Sequence, residues 1–113
     1  METKIRVLFF PVGKAPEWIE LDPHDISELQ ARVGGYVEVV RFGSVDLWCN
    51  EEGRLQGLRH NGVVAHNVPG GSALDILGPF VLAGRRESDD GDMMDVLPDD
   101  WQDHVKVLAR RET

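Results

Sequence analysis

Cysteine is nearly missing from this chain: Cys49 is the single one among 113 residues. One thiol excludes an intramolecular disulfide and any thiolate cluster able to hold zinc or an iron–sulfur centre, and it suits a reducing compartment. Long apolar runs are missing as well. Met1-Glu2-Thr3-Lys4 leads straight into the short run Ile5–Phe10, which is too brief for a signal-peptide core and is followed by no small-residue cleavage site. No later stretch approaches the roughly 18 continuous apolar residues of a membrane span, so the expectation is a cytoplasmic protein without a membrane partner. Basic residues are scarce, with 12 Lys and Arg against 20 Asp and Glu and a formal net charge of −8. Such a field repels phosphate backbones and anionic membranes, which disfavours generic nucleic-acid binding and suits a basic protein surface or DNA mimicry.

What is present describes a folded domain. Hydrophobic residues make up 42% of the chain and charged residues 28%, well away from the composition of disorder, and the length fits one domain over residues 1–113. Ile5–Phe10 is β-branched and aromatic and stops at Pro11 and Gly13, so it reads as a central strand. Pro16–Leu21 alternates Ile19 and Leu21 against Trp18 and Glu20, as a hairpin partner at an edge. Asp22-Pro23 opens a helix with an apolar stripe of Ile26, Leu29 and Val33, and Gly34-Gly35 closes it. Tyr36–Phe42 and Val45–Cys49 form a second hairpin about Gly43-Ser44.

From Arg54 to Leu77 glycines interrupt short apolar pieces, so irregular turns with one short helix are expected there. Gly78–Gly84 is a fifth strand, Arg85–Asp95 a charged flexible connection, and Leu97 onward a closing helix with Trp101, Val105 and Leu108 on one face and Arg110 and Arg111 at its negative end. The expected fold is α+β: a small, mostly antiparallel sheet of about five strands with two helices, in the order β-β-α-β-β-irregular-β-α.

Gly34-Gly35-Tyr36-Val37-Glu38-Val39-Val40, then Trp48-Cys49-Asn50-Glu51-Glu52-Gly53-Arg54-Leu55 with Gly57-Leu58 and Asn61, and later Ile76–Gly84 carry a family likeness. Over Ile5 to about Asp95 the chain resembles the domain-of-unknown-function family DUF3846 of bacteria, phages and plasmids. The resemblance implies a setting, that of a mobile-element accessory factor, and no reaction.

Several residue groups are candidates for binding. Asn50, Glu51, Glu52 and Gly53 display two carboxylates beside an amide, which suits a cation or a basic side chain, although Asn and Gly also simply make tight turns. Asn61 offers an amide to a ligand edge. Gly70-Gly71-Ser72 ahead of the expected short helix offers backbone N–H groups to an anion, with Arg59, Arg85 and Arg86 as partners for phosphates, but no phosphate-loop lysine accompanies it. Trp48, like Trp18, lies opposite its apolar neighbours on a strand and offers a stacking or hot-spot surface.

Catalysis finds no anchor. Asp89, Asp90, Asp92 and Asp95 lack the ligand spacing and closing Glu of a calcium loop, and the four histidines are scattered without a third ligand, so no metal and no cofactor are expected. Cys49 reads as core, and no serine stands in a nucleophile elbow. The sequence leans away from an enzyme and towards a binding module of a phage or mobile element that sequesters or inhibits a host component, as a protein inhibitor or DNA mimic. The alternative is a sponge for a nucleotide-like small molecule in host defence signalling, and an enzyme of unrecognised type comes third.

Overall fold

The computed structural model describes residues 4–89 and 91–108. Along them run β1 (Ile5–Phe10), β2 (Glu17–Leu21), α1 (Ile26–Val33), β3 (Val37–Phe42), β4 (Val45–Asn50), β5 (His60–His66), β6 (Ala73–Leu77), β7 (Phe80–Ser88), β8 (Gly91–Asp95), a 3-10 turn at Trp101–Asp103 and β9 (Val105–Leu108). All pairings are antiparallel. The larger sheet runs β2-β1-β7-β4-β3, with β8 beside the outer half of β7, and the smaller sheet runs β6-β5-β9.

Strand alternation decides what each face of the larger sheet covers. Leu8 and Phe10 of β1, Leu47 and Cys49 of β4, and Phe80 and Leu82 of β7 share one core with Val64 and Ile76 of the smaller sheet and Val105 of β9. Their neighbours Val7, Phe9, Val81, Ala83 and Trp48 point the other way, where Leu29 of α1 packs on them. The register sets Phe10 opposite Phe80, and their rings stack at 4.5 Å between centroids, a pair that adds about 1 kcal/mol beyond its burial. Each such side chain taken fully out of water contributes roughly 1.5–3 kcal/mol. The sheets therefore hold each other.

The mostly antiparallel α+β character agrees with the sequence, but the described residues hold nine strands in two sheets and one α-helix, where about five strands and two helices were expected. Of the stretch expected to be irregular, residues 54–59 are turn and loop as expected, but His60–Leu77 is the β5–β6 hairpin. Gly57, Gly70 and Gly78, at φ +66°, +72° and +83°, sit where the chain turns and bracket the strands, while Gly62 lies inside β5 at its bulge. No short helix follows Gly70-Gly71-Ser72, because Ala73–Leu77 is β6. The charged connection 85–95 is the hairpin of β7 and β8.

The expected closing helix is a 3-10 turn followed by β9, whose Val107 lies opposite Val64. The open edge of β5 captures this β-branched run, and that tertiary pairing overrides the helical spacing of Trp101, Val105 and Leu108. Arg110 and Arg111, and Asp90, lie outside the described residues. Helix α1 starts later than expected: Asp25 is its N-cap and accepts from Ser27 N–H, while Asp22 closes a turn on His24 N–H. Gly34 at φ +83° ends it, as expected. Among the described residues no helix is long and apolar enough to cross a membrane.

Candidate functional site

The last residue of β4 organises the turn that follows it. Asn50 is buried, and its Nδ2 donates to Val33 O at the end of α1 (3.2 Å) and to Gln56 Oε1 (3.1 Å), while its Oδ1 accepts from Glu52 N–H at 2.7 Å. One amide thus ties helix, strand and turn. Gly35 makes room for it, since a Cβ there would lie 3.0 Å from Asn50 Nδ2. Backbone bonds from Gln56 to Glu52 and from Leu58 to Gly53 close the turn. Buried Gly53 packs its backbone on β6, where a Cβ would lie 3.1 Å from Leu77 O. The turn is therefore pinned at both ends, with Glu51, Glu52, Arg54 and Leu55 left exposed.

Between this turn, the inner face of β3 and β4, and β6 opens a cleft of about 480 Å³. Its floor includes Val40, Cys49, Leu74 and Ile76, and its carboxylates are Glu38, Glu51, Glu52 and Asp75. Arg54 is the only basic side chain among the described residues that line it. Glu38 stands opposite Cys49 in the β3–β4 register and accepts from its thiol at 3.7 Å. Burial, then the negative charge of Glu38 and this bond, push the Cys49 thiol up to about 12. At neutral pH it is a thiol and not a nucleophilic thiolate. Chemically the cleft offers apolar contact ringed by negative charge.

The structure brings Asn50, Glu51 and Glu52 to this cleft and distributes the other sequence-predicted residues elsewhere. Trp48 is half-buried on the helix side of the sheet, and its indole N–H is buried without a hydrogen-bond partner among the described residues. Asn61 is buried and donates through Nδ2 to Phe10 O at 2.9 Å and Gly78 O at 3.0 Å, stapling β1 to the start of β7. Gly70, Gly71 and Ser72 form the loop of the β5–β6 hairpin, whereas Arg59 precedes β5 at the hairpin's opposite end. At roughly 3.4 Å per strand residue those two groups are about 20 Å apart.

Arg85 is committed within the fold: it donates to Asp46 Oδ1 at 2.6 Å and to Gly43 O at 2.7 Å. Burial raises the Asp46 carboxyl above its ordinary value, while the Arg85 guanidinium, and Arg41 after it, pull it back down. Arg86 is exposed and lies against Met93 Sδ.

Glu38, Asp75 and Leu74 belong to the cleft and were missed by sequence reasoning. Alternation in β3 marks Glu38 as facing the same side as Val40 and Phe42, but only the packing of the second sheet shows that this side borders an opening. Folding also brings His66 and His104 to the Gly43 turn. His104 Nε2 meets both Ser44 Oγ (3.4 Å) and Asp100 Oδ2 (3.7 Å). Because the carboxylate and the hydroxyl share one ring nitrogen, the set is not a nucleophile–base–orienter relay, which needs the carboxylate on the other nitrogen. Among the described residues no three His, Cys, Asp or Glu gather as a metal site.

The family model described as "Domain of unknown function (DUF3846)" matches residues 5–109. The chain belongs to this family. The DUF3846 match begins with β1 and ends just past β9, so both sheets and the whole cleft lie within it. No curated protein and no solved structure matches significantly.

Proposed function

We propose that this DUF3846 domain is a non-catalytic binding module whose acidic cleft receives a basic segment of a partner protein. The observation that carries the reading is the lining itself: four carboxylates around an apolar floor, with Arg54 as the one described guanidinium. Lysine or arginine side chains match that arrangement, since their stems bury against apolar surface while their heads meet carboxylates. In the mobile-element setting expected from the sequence, the partner is a host protein, and binding sequesters or inhibits it. Charge of this sign also speeds encounter with a basic partner and turns phosphates away.

The test is calorimetric titration of heptalysine amide and, separately, of ATP at low and high salt. Heptalysine should bind with a salt-sensitive affinity that falls about tenfold or more in the double variant Glu51→Lys, Glu52→Lys. Both side chains are exposed, so the fold is retained. Tight ATP binding, or heptalysine binding unaffected by the double variant, refutes the proposal.

A further inference from the structure

The two walls of the cleft differ in kind. From β3 it takes Glu38 and Val40, alternate residues that belong to one face of the larger sheet. From β6 it takes Leu74, Asp75, Ile76 and Leu77 in unbroken succession. Successive strand residues point to opposite faces, so a cavity lined by four in a row meets the strand along its edge. Among the described residues that edge is open, because β6 ends the order β6-β5-β9.

The phase of the ladder tells which backbone groups are unpaired. His66 N–H donates to Ser72 O, and in an antiparallel pair hydrogen-bonded positions recur at every second residue. In the register Leu74↔Val64 and Ile76↔Gly62, Leu74 and Ile76 therefore turn their backbone groups to β5, while Ala73, Asp75 and Leu77 turn theirs outward. The bond from Gly78 N–H to Arg59 O resumes the inward phase beyond the bulge at His60/Gly62. Leu77 O lies under the backbone of Gly53, which confirms that the outward edge looks towards the turn and the cleft. The outward groups of Ala73 and Asp75 are left at the open end.

We infer that the cleft is the vacant position of a fourth strand of the smaller sheet, and that it takes an extended basic peptide paired to β6 along Ala73 and Asp75. This rests on the proposed function and adds the conformation of the ligand and the backbone atoms that hold it. A strand added about 4.8 Å beyond β6 would enter the cleft, whose other wall carries Glu38 and Val40 of β3. Its side chains on one face meet Val40 and Glu38, and those on the other lie beside Asp75. Charge complementarity selects the occupant: an acidic or phosphorylated segment would bring its charge against Glu38, Glu51, Glu52 and Asp75. Main-chain bonds supply affinity in strand addition, and alternate side chains supply specificity.

The probe is a heptapeptide alternating lysine and valine, blocked at both ends. It is compared with the same sequence N-methylated at its three central residues, which keeps every charge and side chain but blocks both strand edges. The unmodified peptide should slow amide exchange at Asp75 and bind the full-length protein about tenfold or more tighter than the methylated one. Asp75→Pro removes the outward N–H without touching the ladder to β5, so it should weaken binding several-fold beyond Asp75→Asn, which loses the same charge. Both variants are first checked for a dispersed amide spectrum, and the methylated peptide reads the same bond on the unaltered protein.

Equal binding of the two peptides, with affinity still lost in the Glu51→Lys, Glu52→Lys variant, overturns strand addition and leaves the acidic-cleft reading standing. Binding of neither peptide overturns both. A free protein that sediments as a dimer with the Asp75 amide already protected shows that a second copy fills the edge, and also overturns the inference.

Discussion

Replacing Asn50 by aspartate changes one atom of a buried side chain and reverses its chemistry. Asn50 Nδ2 donates at 3.2 Å to Val33 O and at 3.1 Å to Gln56 Oε1. Aspartate sets an oxygen against both. Gln56 can rotate its amide and offer N–H, but the Val33 carbonyl is fixed at the end of α1. The variant therefore loses a hydrogen bond of about 1 kcal/mol and leaves a buried carbonyl facing a buried carboxylate, which costs a further 1–3 kcal/mol or so. The expected loss is about 3 kcal/mol at pH 7, or a fall of roughly 10 °C or more in Tm. Burial and the facing carbonyl raise the new carboxyl above its unfolded value of about 3.9. Its stability relative to the parent is thus greatest below about pH 4, where the protonated acid donates to Val33 O, and is lost as pH rises through the raised value. Urea titrations followed by tryptophan fluorescence at several pH values measure the difference. A deficit of equal size at pH 4 and pH 7, or none at pH 7, refutes the role assigned to Asn50.

Three other residues give comparable tests. Cys49, with its thiol pushed up to about 12 from an ordinary value of 9.0, should resist iodoacetamide at pH 8 in the folded protein and react readily in urea, as read by mass spectrometry. Because its folded value is the higher one, the stability it contributes is full below about pH 9 and is lost as pH rises from there towards about 12. Arg85→Met leaves the Asp46 carboxylate buried without its nearest counter-charge and should cost about 3 kcal/mol at pH 7. That loss shrinks on acidification, since the Asp46 carboxyl is already raised and rises further without Arg85; a urea midpoint deficit independent of pH would contradict it. Trp48→Phe discards an indole N–H that has no partner among the described residues, so the midpoint should shift by less than about 1 kcal/mol, and a much larger loss would mean that the N–H has a structural role.

Local elements whose signals are chemical and short-range are legible without any tertiary contact. The strand at Ile5–Phe10, the hairpin about Gly43, the helix stripe of Leu29 and Val33 and its Gly34 cap are all legible in alternation, in spacing and in the one residue type that tolerates a left-handed turn. The net charge of −8 motivates the proposal of a basic partner, which the heptalysine titration tests. The remaining features follow only from folding, because they depend on contacts between residues far apart in the chain. Val105–Leu108 carries a helical spacing and is a strand only because β5 has an edge to pair with it. Asn50 looked like a ligand-binding amide and is a clasp, since Val33 and Gln56 converge on it only after folding. Glu38 and Asp75 lie in separate hairpins, and no local pattern joins them. They face one cleft because the smaller sheet packs across the larger and ends at the open edge of β6.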